Sequence, residues 1–230
     1  MENLTRLTRR RGFLGTVAAG GVSLLGLASL AKSAPRGLMS PSLLQAGTGD
    51  ASFEAWIGKI KGKHKQVFDA PDANHGFPFI WARVFLMTNK QQGVADGDVT
   101  SVVILRHEAI GTAMGHDLWA KYKFGELFKV TDPATKAAAV RNPFFQMKES
   151  EQPLPNITIE DLQASGVLIG ACDLALTFYS KGVAKTMNMD AAEVKKEWVA
   201  GVLPGIQIVP SGVFAVNRTQ EAGCTYCFAG

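Results

Sequence analysis

The chain has 230 residues, of which 47% are hydrophobic, 19% charged and 9% aromatic. This composition excludes a disordered tail, a collagen-like repeat and a disulfide-dense miniprotein, and the length suits one α/β domain or two small ones. A formal net charge of +4 and a sequence pI of about 9.0 raise nucleic-acid binding as a reading, to be weighed by where the charges sit.

Basic residues cluster at the start. Thr8, Arg9, Arg10, Arg11, Gly12, Phe13 and Leu14 lead into an uncharged stretch, rich in Gly, Ala, Val and Leu, that runs to about residue 30. A basic n-region followed by such an h-region reads as a targeting segment. The pair before Gly-Phe-Leu resembles a twin-arginine export signal, with Arg10 and Arg11 as the pair, and Lys32 behind the apolar core fits that route. Ala31 and Ser33 supply small residues at the −3 and −1 positions, so cleavage is expected after Ser33; cutting after Ala34 would put Pro35 just behind the scissile bond. The alternative is an uncleaved anchor helix, since an apolar run of about 19 residues approaches the length that spans a bilayer. Five glycines between positions 12 and 26 weaken it as a permanent span.

Removal of residues 1–33 takes five basic residues and one acidic residue from totals of 24 and 20, leaving 19 of each. The mature chain is then neutral by count. Lys59, Lys61, Lys63 and Lys65 alternate with Ile60, Gly62 and His64, without the interleaved aromatics of a nucleic-acid stripe. The expectation is a periplasmic or otherwise exported protein with no nucleic-acid partner, touching the membrane only through its signal segment.

Residues 34–52, with Pro35, Gly37, Pro41, Gly47 and Gly49, read as a flexible linker, and residues 53–230 as the domain. Within residues 65–70, Gln66-Val67-Phe68 marks a first strand, followed by a turn from Pro71 to His75 and Gly76 and a helix over 77–89. The clearest buried strand is 101–105, a continuous run behind Asp96-Gly97-Asp98. A helix over 116–124 would carry Leu118, Trp119 and Tyr122 on one face. Residues 125–156 are broken by Pro133, Pro143, Pro153 and Pro155 and read as a loop-rich insertion with one short helix over 133–140. Thr158 with Asp161 caps a short helix ending at Gly166, and 167–172 is a buried strand ending in Cys172. Helices follow from Asp173 and from Asp190 to Trp198, then a strand over 205–209, a turn at Pro210-Ser211-Gly212, a helix over 213–222 and a last strand over 224–228. This alternation predicts a mainly parallel sheet with helices on both faces.

The second half resembles the DsrE/DsrF-like family, small α/β proteins that include sulfur-relay subunits. The resemblance rests on Ser165-Gly166-Val167-Leu168-Ile169-Gly170-Ala171-Cys172, on Leu203-Pro204-Gly205-Ile206 leading into Val209-Pro210-Ser211-Gly212-Val213, and on Thr219-Gln220-Glu221-Ala222-Gly223. It covers residues 62–230, most firmly from 158 onward. It implies a three-layer α/β/α sandwich with a five-stranded mainly parallel sheet in the order 4-3-2-1-5, often assembled into trimers or hexamers. Some members carry a persulfide on a cysteine at the end of the third strand, the place of Cys172, and pass sulfur to a carrier partner. Asp173 stands where a glycine is common, and the 125–156 insertion exceeds the family minimum.

Ligands of open parallel sheets bind outside the carboxyl ends of the strands. That rim would hold Asp69, Asp72 and His75 after strand one, Arg106, His107 and Glu108 after strand two, Cys172 and Asp173 after strand three, and Ser211 after strand four. Strands two and three are neighbours in the implied order, with ends roughly 5 Å apart, so Arg106 or His107 could reach the Cys172 thiol. A cysteine opening a helix gains from the partial positive charge of unpaired amides, which favours a thiolate. Cys172 is thus either a nucleophilic or persulfide-carrying residue or an inert buried thiol, and His107 either assists it or is structural. Asp117, Trp119 and Tyr122 either complete a polar pocket or form a packing stripe; His75 and His116 have weaker claims.

Cys224-Thr225-Tyr226-Cys227 is a CxxC on a strand, where residues i and i+3 point to opposite faces about 10 Å apart, so a redox pair or disulfide needs a turn there. Cys172 lies roughly 14 Å of sheet away from both in the implied order. No HxH or HxxxH spacing occurs, and neither a metal nor a cofactor site is indicated. Two functions stay open. One is sulfur handling or thiol redox through Cys172, Arg106 and His107. The other is a non-catalytic periplasmic small-ligand-binding or assembly module. Phe77-Pro78-Phe79-Ile80-Trp81 and Phe144-Phe145 offer either oligomer surface or core.

Overall fold

Val99–Leu105 (β2) reads Val-Thr-Ser-Val-Val-Ile-Leu, and every residue after the first is buried. A β-branched run of this kind suits a strand covered on both faces. In the computed structural model, which describes residues 50–230, it is the central strand of five. On one side β2 pairs with His64–Ala70 (β1), Val102 opposite Val67, and on the other with Leu168–Cys172 (β3), Val103 opposite Ile169. Gln207–Val209 (β4) continues the sheet beyond β3, and Thr225–Phe228 (β5) continues it beyond β1. All pairs are parallel and the order is β4-β3-β2-β1-β5. The fold is a three-layer α/β/α sandwich.

The helices are Ala51–Ile57 (α1), Phe77–Gln91 (α2), His116–Tyr122 (α3), Phe124–Leu127 (α4), Ile159–Ala164 (α5), Asp173–Met187 (α6), Ala191–Ala200 (α7) and Gly212–Glu221 (α8). Strand alternation divides the core. Val67, Val102 and Ile104 pack with Phe53 and Trp56 of α1 and Ala215 of α8. Phe68, Val103, Leu105 and Ile169 point the other way, toward Phe79 of α2, Leu162 of α5, Leu176 of α6 and Trp198 of α7. Local chemistry starts the helices. The Thr158 hydroxyl accepts the Asp161 N–H at 3.1 Å, Asp190 accepts those of Ala192 and Glu193 at 2.9 Å, and Ser211 accepts that of Phe214 at 3.2 Å.

Three differences from the sequence expectations have identifiable causes. Helix α1 begins inside the stretch expected to be linker, because Asp50 caps it and Phe53 and Trp56 have a sheet face to cover. No helix forms over 133–140. Asp132 takes the N–H groups of Ala134 and Thr135 at 2.9 Å, Lys136 turns left-handed, and Thr131 bridges Ala138 in an antiparallel loop. The helix expected over 116–124 breaks at Lys123, whose φ of 52° separates α3 from α4. Of the two aromatic runs, left open between surface and core, Phe79 and Phe144 belong to the core and Pro78 is buried beside them, while Phe77 is exposed. Arg10, Arg11 and the cleavage site expected after Ser33 lie outside the described residues. Among the described residues no helix is long and apolar enough to cross a membrane.

Candidate functional site

The rim residues expected from sequence separate into two groups. Asp69, at the end of β1, is only 4% exposed and is fully engaged. Arg106 donates from Nε to Oδ1 at 2.6 Å and from Nη2 to Oδ2 at 2.9 Å, and the Tyr226 hydroxyl donates to Oδ2 at 2.9 Å. The fork geometry raises the Arg106 pKa, first through the Asp69 hydrogen bond, with smaller contributions from the nearby Tyr226 and Cys172. A side chain at Gly212 would press on this arginine, its Cβ falling 2.5 Å from Arg106 Cβ, so the start of α8 is built around it. The Arg106 side chain is thus committed to Asp69 of β1, and none of its hydrogen bonds goes to the Cys172 thiol.

Cys172 is 5% exposed, and its Sγ accepts the Ala175 N–H at 3.3 Å as the N-cap of α6. Asp173 next to it is held by Lys195 at 2.6 Å, and Lys195 also donates to the Thr177 hydroxyl. His107 has a φ of 48°, is exposed, and sets its ring edge-on to Tyr179 at 5.7 Å. Ser211 serves as the α8 cap. Cys224 packs under α1 and α8, whereas Cys227 packs against the opposite core, and all three cysteines are free. Burial pushes the Cys224 thiol up to about 11 and raises Cys227 as well. On α3, the Trp119 indole donates to Gly111 O at 2.9 Å and the Tyr122 hydroxyl to Glu197 at 2.6 Å, so with buried Leu118 they form a packing stripe; Asp117 is exposed.

The second group, Asp72, His75 and Glu108, lines a cleft of about 630 Å³. The loop after β1 enters it in an unusual conformation: Asn74, His75 and Gly76 have consecutive φ values of 35°, 53° and 87°. Asp72 holds this turn by accepting the Asn74 N–H at 2.7 Å, and Asn74 Nδ2 donates to Ala229 O at 3.2 Å. Left-handed non-glycine residues cost on the order of 1 kcal/mol or more each and cluster at functional sites. Gly76 has a second constraint, since a Cβ there would lie 2.7 Å from the Phe144 ring. The same loop begins α2, which no side chain caps.

The opposite wall is the segment between α4 and α5. It contributes Phe128, Lys129, Lys136, Phe144 and Ile157 among others, while Phe79 of α2 joins the apolar floor. Asn142, fully buried, anchors this segment. Its Nδ2 donates to Thr112 O at 2.8 Å and Met114 O at 2.9 Å, its Oδ1 accepts the Phe144 N–H at 3.0 Å, and its backbone N–H donates to His116 Nδ1 at 3.1 Å. Arg141 and Glu151 clamp the wall at 2.6 Å, and this pair holds the Glu151 carboxyl below its ordinary range. Among the described residues no group of three His, Cys, Asp or Glu side chains is placed to hold a metal ion.

Residues 128–157 were legible as a loop but not as a wall. The signal available was their length, because a connection of some thirty residues with little secondary structure of its own is commonly functional. The segment joins two helices, α4 and α5, and nothing local says that it packs over the carboxyl rim.

No family model matches the chain, and no curated protein matches it. Among solved structures, the chain is similar to the protein of unknown function MTH1491 from Methanobacterium thermoautotrophicum, with 14% identity over 72% of this chain and 98% of that one and a TM-score of 0.36.

Proposed function

We propose that this protein is an exported small-ligand-binding module, and that its ligand occupies the cleft over the carboxyl ends of β1 and β2. The observation that carries this reading is the convergence of Asp72, His75 and Glu108 from two adjacent strand ends on a cleft of about 630 Å³, with an apolar floor and an anchored wall. Volumes of this size suit small molecules, and the carboxyl rim of a parallel sheet is where such folds bind them. Export through the twin-arginine route rests on Arg10 and Arg11 and on the excess of basic over acidic residues, which falls wholly within residues 1–33. A homo-oligomer, trimer or hexamer, is supported by the resemblance of residues 158–230 to DsrE/DsrF-like proteins and by exposed Phe178, Val213 and Phe228.

A second reading, sulfur handling or thiol redox at Cys172 with a sulfur-carrier partner, is favoured by one observation. The thiol ends β3 and caps a 15-residue helix, with the Arg106 charge in electrostatic reach. Against it stand the burial of the thiol and the engagement of Arg106 by Asp69. Mass spectrometry of the protein recovered from the exported fraction separates the two. Binding predicts a chain starting at Ala34 that carries extra mass under native conditions and loses it on denaturation. A gain of about 32 mass units that survives denaturation and disappears in Cys172→Ser would instead establish a persulfide.

A further inference from the structure

Charges of both signs line the cleft, and they balance. Glu151 is paired with Arg141 at 2.6 Å and drops out of the count. Asp72 and Glu108 remain as half-buried carboxylates; the Asn74 N–H that Asp72 accepts at 2.7 Å fixes its position and leaves its charge in place. Lys129 and Lys136 remain as exposed ammonium groups, and among the described residues neither forms an ion pair. Two carboxylates and two ammonium groups thus share one lining with no net charge and no salt bridge between them. The carboxylates stand on the segments that follow β1 and β2, the ammonium groups on the segment between α4 and α5. Lys129 and Lys136 hold left-handed positions, φ 54° and 59°, on either side of the loop in which Thr131 bridges Ala138. The floor is apolar: Phe79, Phe128, Phe144 and Ile157 are buried, and half-buried Ile80 and Met147 are open to the cleft.

We infer that the cleft takes a small zwitterion with an apolar body, a ligand of the class of a dipeptide with two large apolar side chains; this specificity rests on the ligand-binding reading above and narrows it. A net anion meets repulsion from Asp72 and Glu108, and a net cation meets repulsion from the lysines. A molecule carrying one group of each sign pairs with both sets and leaves the lining neutral. Because no salt bridge joins the two sets, no ion pair of the protein has to break before the ligand binds. The apolar body covers the floor, where removal of surface from water drives association. The two ends contribute unequally. Asp72 and Glu108 are less exposed to solvent screening than the lysines, so the ligand ammonium is the stronger anchor and its carboxylate the weaker. His75, exposed at the same mouth, leaves the balance unchanged in its neutral form.

Four forms of one dipeptide test it by calorimetric titration of the mature chain, freed of small molecules by dialysis: leucyl-phenylalanine, its N-acetyl form, its C-terminal amide and the doubly blocked form. The expected result is one-to-one binding of the zwitterion, weakened about tenfold by blocking the ammonium and about threefold by blocking the carboxylate. The variants should then cross. Asp72→Asn/Glu108→Gln, which keeps an acceptor for the Asn74 N–H, weakens only the two forms with a free ammonium; Lys129→Gln/Lys136→Gln weakens only the two with a free carboxylate. A folding defect weakens all four forms alike and does not imitate that crossing. If the zwitterion binds no tighter than the doubly blocked form, or either variant acts on all four forms equally, the zwitterion inference is overturned. Native mass spectrometry then decides the reading beneath it. A chain that carries mass released on denaturation, yet ignores the dipeptides, leaves the ligand-binding reading standing; a chain that carries none and binds none of the four forms removes both.

Discussion

Asp69 and Arg106 are the most tightly coupled charges at the rim, and their energetics follow from burial. The carboxylate is nearly inaccessible and accepts three hydrogen bonds, two from the guanidinium and one from Tyr226. Removing one partner of such a pair strands the other charge, which costs more than the pair contributes net. Arg106→Leu is therefore expected to lower stability by about 3 kcal/mol, and Tyr226→Phe by about 1 kcal/mol, both read as shifts in urea midpoint. The cysteines give a second expectation at this scale. Burial holds Cys224 protonated until about pH 11, and an unfolded thiol ionises lower, so the folded state binds that proton more tightly. Stability is then lost as pH rises from the ordinary thiol range toward 11. In iodoacetamide labelling at pH 8, Cys227, half-buried, should react before Cys224; the reverse order would contradict the packing of Cys224 beneath α1 and α8.

At the scale of elements, the entry to α2 and the wall opposite it depend on each other. Gly76 provides the last of three left-handed residues and leaves room for the Phe144 ring, which forms part of the cleft floor. Gly76→Ala should destabilise the protein by about 2 kcal/mol, combining left-handed strain with displacement of Phe144, and should weaken retention of whatever ligand the natively recovered protein carries in the cleft, read by native mass spectrometry. Unchanged affinity and stability together would mean that loop and wall are independent. The turn at 71–76 was legible in sequence, since Pro, Asp, Asn and Gly punctuate it. Its three left-handed residues were not, because the conformation depends on Asp72 gripping Asn74 and Asn74 gripping Ala229, 155 residues later. The loop over 133–140 is the converse case. Its run of alanines favours a helix locally, yet the Asp132 side chain claims the amides that would open one.

For the whole molecule, the basic excess falls within residues 1–33 and residues 34–230 are neutral by count, and the proposed export route makes Arg10 and Arg11 essential. Replacing Arg10 and Arg11 together with lysine is expected to leave the protein in the cytoplasmic fraction at full length, while the same change made at Lys59 and Lys61 to arginine leaves export unaltered. Immunoblotting of cell fractions reads both. The strands and the layered fold were accessible from residues 62–230 because buried parallel strands announce themselves as continuous apolar runs, such as 101–105 and 167–172, with turn residues between them, whereas the strand order came only through the resemblance. Such signals are local, and the hydrophobic effect that acts on them is indifferent to which distant segment supplies the cover. The cleft is decided differently. It joins residues 72–76, Glu108 and 128–157, and the groups that close it find partners in other segments: the Asn142 side chain on Thr112 O and Met114 O, and the Ile159 backbone N–H on Phe144 O. The sequence by itself determined the strands, their order by resemblance, and the caps that start the helices, since each rests on neighbours in the chain or on periodicity. Only the tertiary structure decided that Arg106 serves Asp69 rather than Cys172, and that the insertion walls a cleft, because both depend on contacts between segments that no local pattern pairs.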